Sequence, residues 1–252
     1  MSTLKKDIIN SIFFPRKSYK PKKNNDHILN VENNIVVGIS FYINDLGNYN
    51  LLFFHGNAEL AQEYKDIGAI FNTHGINLIV ADYRGYGLST GIPTVNNLKT
   101  DSLKIFKYVY GYLKDNNYTK NITLMGRSLG SASVINILSH IKHDISGCII
   151  ESGFATEYPL FNLLGYNYKS INFLLSDGFN NLSKIKKYEK PLLIIHAEDD
   201  HIIPYSEGEK LFKSSISKKK KLFKVEGANH NNIIITMQKK YFSLISNFLS
   251  KT

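Results

Sequence analysis

The chain has 252 residues, 43% of them hydrophobic, so it can bury one large core, and we expect a single domain over residues 1–252. Its one cysteine, Cys148, excludes an internal disulfide and a cysteine-rich metal site, and a reducing, cytoplasmic setting fits best. The net charge of +10 comes from lysines that form no groove-reading motif, so we expect no nucleic-acid partner.

The N-terminal segment places lysines ahead of apolar residues at helical spacing. We predict a folded helix here rather than a signal peptide, because Asp7 and Asn10 interrupt the apolar run and no small-residue cleavage site follows. Leu4, Ile8 and Ile12, with the nearby lysines, could make weak peripheral contact with a membrane surface. No stretch approaches the roughly 18 consecutive apolar residues that a membrane-spanning helix needs.

Short apolar runs then alternate with helical patterns, which is typical of a mostly parallel sheet with helices on both faces. The predicted strands are residues 35–43, 50–54, 77–81, 121–125, 147–150, 192–196 and 221–225. Apolar residues at helical spacing predict helices at residues 58–72, 95–113, 129–141, 206–215 and 231–248. The fold class is therefore α/β.

One segment, residues 154–190, breaks this alternation between two predicted strands. It is rich in Phe, Tyr, Leu and Asn, with short helical patterns only at 160–164 and 171–175. We predict a small inserted cap whose apolar side chains either cover an acyl group or pack onto the sheet. Its candidate residues are Phe154, Phe161, Leu163, Leu164, Tyr166, Phe173 and Leu174. Phe154, Phe161 and Leu164 are the predicted substrate contacts.

Two segments match the pattern Gly-x-Ser-x-Gly. The segment around Ser128 directly follows a predicted strand and runs into a helix, which is the order of a nucleophile elbow. The serine in such a turn projects from strained backbone, and Gly126 and Gly130 let neighbouring backbones approach. The segment around Ser89 is separated from its strand and is followed by Pro93, which opposes a helix. Ser128 is therefore the predicted nucleophile.

A serine hydroxyl needs a base that takes its proton and an acid that orients the base. Along an elbow-bearing chain the expected order is serine, acid, histidine. Only His201 and His230 follow the strand that should present the acid. His201 adjoins Asp200, and adjacent side chains rarely align with a third group, whereas His230 lies in a loop at the carboxyl end of the sheet. His230 is the predicted base.

The acid is expected just past the predicted strand 192–196. Glu198, Asp199 and Asp200 all qualify by position. We prefer Asp200 because it begins a turn that leads to the next helix. Glu151, at the tip of the preceding strand, is a remote fourth candidate with an expected structural role.

Donors are also needed for the negative charge that develops on the carbonyl oxygen during acyl transfer. One is expected to be the backbone amide of Leu129, and the other to come from residues 55–58, with Asn57 favoured over Ala58. A helix beginning near Ala58 is expected to direct its free amides toward the site. His55 is expected to be structural. This chemistry requires no cofactor and no metal.

Several short elements occur in a fixed order along the chain. They are His55-Gly56-Asn57-Ala58, Asp82-Tyr83-Arg84-Gly85-Tyr86-Gly87-x-Ser89, Gly126-Arg127-Ser128-Leu129-Gly130, His196-x-x-x-Asp200 and Gly227-x-x-His230-Asn231. Together they resemble the α/β-hydrolase superfamily, specifically the Bem46-like and serine-aminopeptidase-like serine hydrolases, which include protein depalmitoylases.

This resemblance spans residues 30–250 and implies the α/β-hydrolase fold. It also implies that Ser128, Asp200 and His230 stand at the family's triad positions. The sequence departs from the family at Ala197, where a glycine is usual. Its N-terminus also lacks the cysteine cluster by which depalmitoylases attach to membranes, which argues against a depalmitoylase role.

The sequence thus predicts a serine hydrolase that cleaves a carboxylic ester or thioester of a small-molecule or acyl substrate through an acyl-enzyme intermediate. One alternative is a peptidase or amidase that uses the same triad. Another is a non-catalytic binding or scaffold protein that retains the fold.

Overall fold

The structure of the chain, a computed structural model, describes residues 3–141, 144–170 and 172–252. Eight strands within these ranges form one sheet. They are β1 (Asp26–Glu32), β2 (Ile35–Tyr42), β3 (Tyr49–Phe54), β4 (Ile76–Ala81), β5 (Ile122–Arg127), β6 (Ile145–Glu151), β7 (Leu192–Ala197) and β8 (Lys220–Val225). Their order across the sheet is β1-β2-β4-β3-β5-β6-β7-β8, antiparallel from β1 to β4 and parallel from β4 to β8.

Helices cover both faces of this sheet. They are α1 (Thr3–Asn10), α2 (Lys65–Thr73), α3 (Val95–Asp115), α4 (Gly130–His140), α5 (Tyr158–Leu163), α6 (Asn181–Ile185), α7 (Tyr205–Ser214), α8 (Ile233–Met237) and α9 (Lys239–Leu249). Apolar residues of α1, α3, α4, α6 and α7 join the core on one face, and those of α2, α8 and α9 join the core on the other. The predicted α/β architecture is confirmed.

The middle strands are apolar because both of their faces are covered. Every residue of β4 and of β7 is buried. Strand β1 was not predicted; its Ile28, Asn30 and Glu32 are exposed, and the residues between them are buried or partly buried. An edge strand with one polar face lacks the continuous apolar run by which the other strands were recognised.

Two predicted helices differ from the observed ones. The helix expected from residue 58 begins later, because Ala58 has a φ of 59° and a 3-10 turn, Ala61–Tyr64, precedes α2. The helix expected over 231–248 is divided into α8 and α9 at Gln238, which has a φ of 50°. The prediction that a helix N-terminus at Ala58 faces the site was therefore wrong.

The N-terminal helix is present as α1, but it packs inward. Ile8 and Ile12 are 6% and 3% exposed, so these two side chains lie in the core and are not on the surface that a weak membrane contact would use. Leu4 lies outside the residues whose side chains are described. Within residues 3–141, 144–170 and 172–252, every helix is too short or too polar to traverse a bilayer.

The segment between β6 and β7 contains α5, a 3-10 turn (Leu175–Asp177) and α6. The pattern at 160–164 corresponds to α5. In the pattern at 171–175, Ile171 lies outside the described residues, and residues 172–174 are not helical. Helix α6 was not predicted. Phe154 and Phe161 are both fully buried and pack edge-on against Phe179 and Phe173, respectively, which anchors this segment on the domain.

Candidate active site

The turn between β5 and α4 presents Ser128. This residue has a φ of 51°, a left-handed conformation that a non-glycine residue rarely adopts. A Cβ on Gly130 would lie 1.9 Å from the carbonyl oxygen of Phe54, and one on Gly126 would lie 2.4 Å from the oxygen of Gly130. The two glycines therefore permit the backbone crossing that forms the elbow, at the carboxyl end of the parallel strands.

Ser128, His230 and Asp200 come from separate loops and form one hydrogen-bonded chain. Nε2 of His230 lies 3.1 Å from Oγ of Ser128, and Nδ1 lies 2.7 Å from Oδ2 of Asp200. Because an ionised carboxylate only accepts hydrogen bonds, Nδ1 of a neutral His230 carries the proton and Nε2 is left to accept one. This arrangement can transfer a proton from the serine hydroxyl to the imidazole.

The carboxylate of Asp200 is held by backbone as well as by His230. Its Oδ1 accepts the amides of Ile202 at 3.1 Å and Ile203 at 2.8 Å, in the turn that begins at Asp200. Burial alone would raise the pKa of Asp200, but the hydrogen bond and charge of His230, with the Ile203 amide, outweigh burial and hold the pKa below its ordinary value. Asp200 is therefore ionised at neutral pH.

His196, for which no separate role was predicted, supports this turn. Its Nε2 donates to the Ile203 carbonyl at 2.8 Å and lies 3.6 Å from Oδ2 of Asp200. Burial lowers the pKa of His196, which keeps the ring neutral. The four-residue interval between His196 and Asp200 was visible in the sequence, but the bond to Ile203 depends on the fold of the turn.

The other acids that qualified by sequence have different surroundings. Asp199 is exposed. Glu198 is exposed too, and its Oε1 lies 2.8 Å from Nζ of Lys224. Glu151 is buried, and its carboxylate accepts hydrogen bonds from Arg127 and Tyr241 instead of pairing with His230.

The competing serine and histidine also lie elsewhere. The Oγ of Ser89 is buried and accepts the amide of Gly38 in β2 at 2.9 Å. His201 is exposed. His55 bridges the Gly56 carbonyl and the Asp82 carboxylate in the interior, which is the structural role that we expected of it.

Leu129 and Asn57 line the pocket beside Ser128. Among the described residues, neither of their backbone amides donates a hydrogen bond to a protein acceptor. The Ala58 amide, in contrast, donates to Oδ1 of Asn57 at 3.1 Å. The amides of Leu129 and Asn57 are therefore free of protein acceptors among the described residues; Leu129 is the N-cap of α4, whereas Asn57 lies in a turn that precedes no helix directly.

The side chain of Asn57 ties this loop to the N-terminal segment. Its Nδ2 donates to the Ile12 carbonyl at 2.6 Å, and its Oδ1 accepts the Phe14 amide at 3.0 Å. The hydroxyl of Tyr86 donates to the same oxygen at 2.5 Å. These bonds hold the Asn57 backbone in place beside Ser128.

A cavity of about 310 Å³ opens above Ser128. Its apolar wall is formed by Ile12, Phe14, Leu160, Leu163, Leu164 and Ile202. Leu164 was a predicted contact, but Phe154 and Phe161 are buried in the domain core and do not line the cavity. Ile12 and Phe14 were missed, because no local pattern shows that the N-terminal segment passes over the site.

The chain is similar in sequence to known proteins. The sequence model of a family described as serine aminopeptidase, S33, matches residues 48–164. Mouse alpha/beta hydrolase domain-containing protein 17C is 30% identical over 210 residues, which are 80% of this chain and 60% of the mouse protein. Human alpha/beta hydrolase domain-containing protein 17B is 30% identical over 214 residues, which are 81% of this chain and 67% of that protein. The chain belongs to the α/β-hydrolase family, and it spans about 60% of the length of the 17C relatives that it matches.

Among solved structures, the esterase Pf2001 of Pyrococcus furiosus matches with a TM-score of 0.76 at 21% sequence identity. The match covers 94% of this chain and 98% of the esterase. It shows that the sheet and its helices form the α/β-hydrolase fold that the sequence resemblance implied.

Proposed function

We propose that this protein is a serine hydrolase that cleaves a carboxylic ester or thioester through an acyl-enzyme on Ser128. The observation that carries the proposal is the continuous hydrogen-bonded chain from Asp200 through His230 to Ser128 at the floor of an apolar pocket. A scaffold protein has no need of such a chain or of the left-handed backbone at Ser128.

In the first half of the reaction, Nε2 of His230 takes the proton of Ser128 as Oγ attacks the carbonyl carbon of the substrate. The charge that forms on the carbonyl oxygen is stabilised by the amides of Leu129 and Asn57. The intermediate collapses, the bond to the leaving alcohol or thiol breaks, and His230 returns its proton to that group. The acyl group is then bonded to Oγ of Ser128.

In the second half, a water molecule replaces the leaving group. His230 takes a proton from this water, whose oxygen attacks the acyl carbonyl. As the second intermediate collapses, its bond to Oγ of Ser128 breaks, His230 returns its proton to Oγ, and the carboxylic acid is released. Asp200 remains ionised throughout and stabilises the imidazolium that forms in each half.

A fluorophosphonate probe tests the assignment of the nucleophile, because it reacts with a serine that a base has activated. We expect labelling of the wild-type protein and none of Ser128→Ala. Ser89→Ala is the matched control, since Ser89 is the serine of the other Gly-x-Ser-x-Gly segment, and it should still be labelled. Undiminished labelling of Ser128→Ala would remove the proposal.

The pocket wall predicts how turnover depends on acyl chain length. Replacing Leu164 by Ser removes apolar contact from the pocket, and the loss is about 1–2 kcal/mol of binding to a long acyl chain. We expect kcat/KM for a p-nitrophenyl octanoate to fall roughly 5–30-fold, while that for the acetate is unchanged. Leu174→Ser is the control, because Leu174 is 62% exposed and does not line the pocket. An equal loss on both esters would show that Leu164 does not contact the acyl chain.

A further inference from the structure

The guanidinium of Arg127 joins three segments around the site. Its Nε donates to Oε1 of Glu151 at 3.1 Å, and its Nη2 donates to the backbone carbonyl of His230 at 2.8 Å. Its Nη1 donates to Oε1 of Glu59. The side chain of Arg127 is only 15% exposed, so these bonds form largely out of contact with water.

Glu59 extends this arrangement to the loop that carries the Asn57 amide. Its Oε2 accepts the amide of Gly56 at 2.9 Å and also the hydroxyl of Tyr64. A Cβ on Gly56 would lie 2.6 Å from Nη1 of Arg127 and 2.7 Å from Oε1 of Glu59. The ion pair is therefore packed directly against the backbone that precedes Asn57.

Glu151 connects the same group to the nucleophile. Its backbone carbonyl accepts the amide of Ser128 at 2.9 Å, and its carboxylate binds Arg127 and the hydroxyl of Tyr241, the latter at 2.6 Å. The Ser128 amide is consequently occupied and directed away from the substrate carbonyl. The carboxylate of Glu151 is only 1% exposed, which gives Arg127 a rigid partner.

We propose that Arg127 is a positioning residue that holds the base loop, the nucleophile turn and the Asn57 loop in register. The inference rests on the proposed hydrolase function. Arg127 lies in the pocket wall, but its described hydrogen bonds go to Glu151, Glu59 and the His230 carbonyl and not to Oγ of Ser128 or to the imidazole. It acts by holding the His230 carbonyl and, through Glu59, the backbone before Asn57. Ser128, His230 and the amide donors are then aligned before substrate binds.

Arginine suits this position for a geometric reason. Its planar guanidinium directs N–H groups toward separate acceptors at fixed angles, and here those acceptors are two carboxylates and a carbonyl. A lysine ammonium is a compact charge on a flexible stem and does not reproduce this fork. The geometry of its side chain thus explains why an arginine at position 127 can hold the three segments together.

The test compares Arg127→Gln, Arg127→Lys and Glu59→Gln with the wild-type protein on p-nitrophenyl acetate. We expect Arg127→Gln to lower kcat on the order of 10²-fold with KM unchanged, because a misplaced base costs turnover and not substrate binding. Arg127→Lys should recover little of this loss. Glu59→Gln should lower kcat less, and the double variant with Arg127→Gln should lose no more than Arg127→Gln alone.

Arg84→Gln is the matched control. Arg84 is also a buried arginine paired with two carboxylates, Glu32 and Asp101, but it binds none of the site residues. Its loss should lower Tm while kcat at a temperature well below Tm stays at the wild-type value. Equal kcat in Arg127→Gln and the wild type would overturn the positioning role and leave the hydrolase proposal intact.

A second measurement needs no turnover. The proton between Nδ1 of His230 and Asp200 should give a far-downfield ¹H NMR signal that Asp200→Asn abolishes. Loss or broadening of this signal in Arg127→Gln, with retention in Arg84→Gln, supports the inference even where no substrate is turned over. Retention in both variants overturns it. Absence of any Ser128-dependent turnover in the wild type would instead remove the proposed function.

Discussion

Replacement of His230 by Ala is expected to lower kcat for an activated ester by about 10⁶-fold, the loss seen when a triad base is removed from another serine hydrolase. In the proposed mechanism, Nε2 of His230 receives the proton of Ser128, whose Oγ lies 3.1 Å away. Without this acceptor, the hydroxyl of Ser128 remains protonated during attack. The remaining rate comes from the pocket and the amide donors.

The double variant Ser128→Ala, His230→Ala distinguishes a shared mechanism from general damage. If the two residues act as one unit, the double variant should be about as slow as either single variant. His201→Ala is the control, because His201 is exposed and should leave kcat unchanged. Steady-state kinetics with a p-nitrophenyl ester measure all of these rates. Losses that multiply would contradict a common proton path.

Replacement of Asp200 by Asn is expected to lower kcat by about 10⁴-fold while KM changes little. The Asn amide can donate an N–H to Nδ1 of His230, whereas the carboxylate only accepts. This contact favours the tautomer of His230 in which Nε2 carries the proton. That tautomer cannot accept a proton from Ser128. The substitution also removes the negative charge of Asp200 that stabilises the imidazolium.

Asp199→Asn and Glu198→Gln are the matched controls, because each removes one carboxylate from the same short segment. Both side chains are exposed, and Glu198 pairs with Lys224, so kcat should stay within about 2-fold of the wild type. A large loss in either control, with none in Asp200→Asn, would transfer the orienting role to that residue. The comparison decides among three neighbours that sequence position alone did not separate.

Sequence was sufficient where a local rule governs the structure. Fully covered strands must be apolar, so β4 and β7 were recognisable as runs, and a serine between Gly126 and Gly130 after such a run indicated a sharp turn. Since the carboxyl ends of parallel strands share one edge of the sheet, residues that follow β5, β7 and β8 are brought together. The proximity of Ser128, Asp200 and His230 follows from that geometry.

Sequence was insufficient where distant segments determine the environment. Whether an aromatic residue such as Phe161 faces a substrate or the core depends on what packs beside it, and the partner here is Phe173. The positive φ at Ala58 that delays the start of α2 has no composition signal comparable to a glycine. The partners of Arg127 lie 24, 68 and 103 residues away, beyond the reach of any spacing rule.

Two residues that follow helix α1, Ile12 and Phe14, belong to the wall of the pocket beside Ser128. Ile12 and Phe14 reach the pocket wall, and backbone atoms of both are held by Asn57, whose amide faces the substrate in the proposed mechanism. Removal of residues up to Phe14 would expose the acyl pocket to water. It would also remove the hydrogen bonds that hold the loop carrying the Asn57 amide. An affinity tag is therefore better placed at the C-terminus.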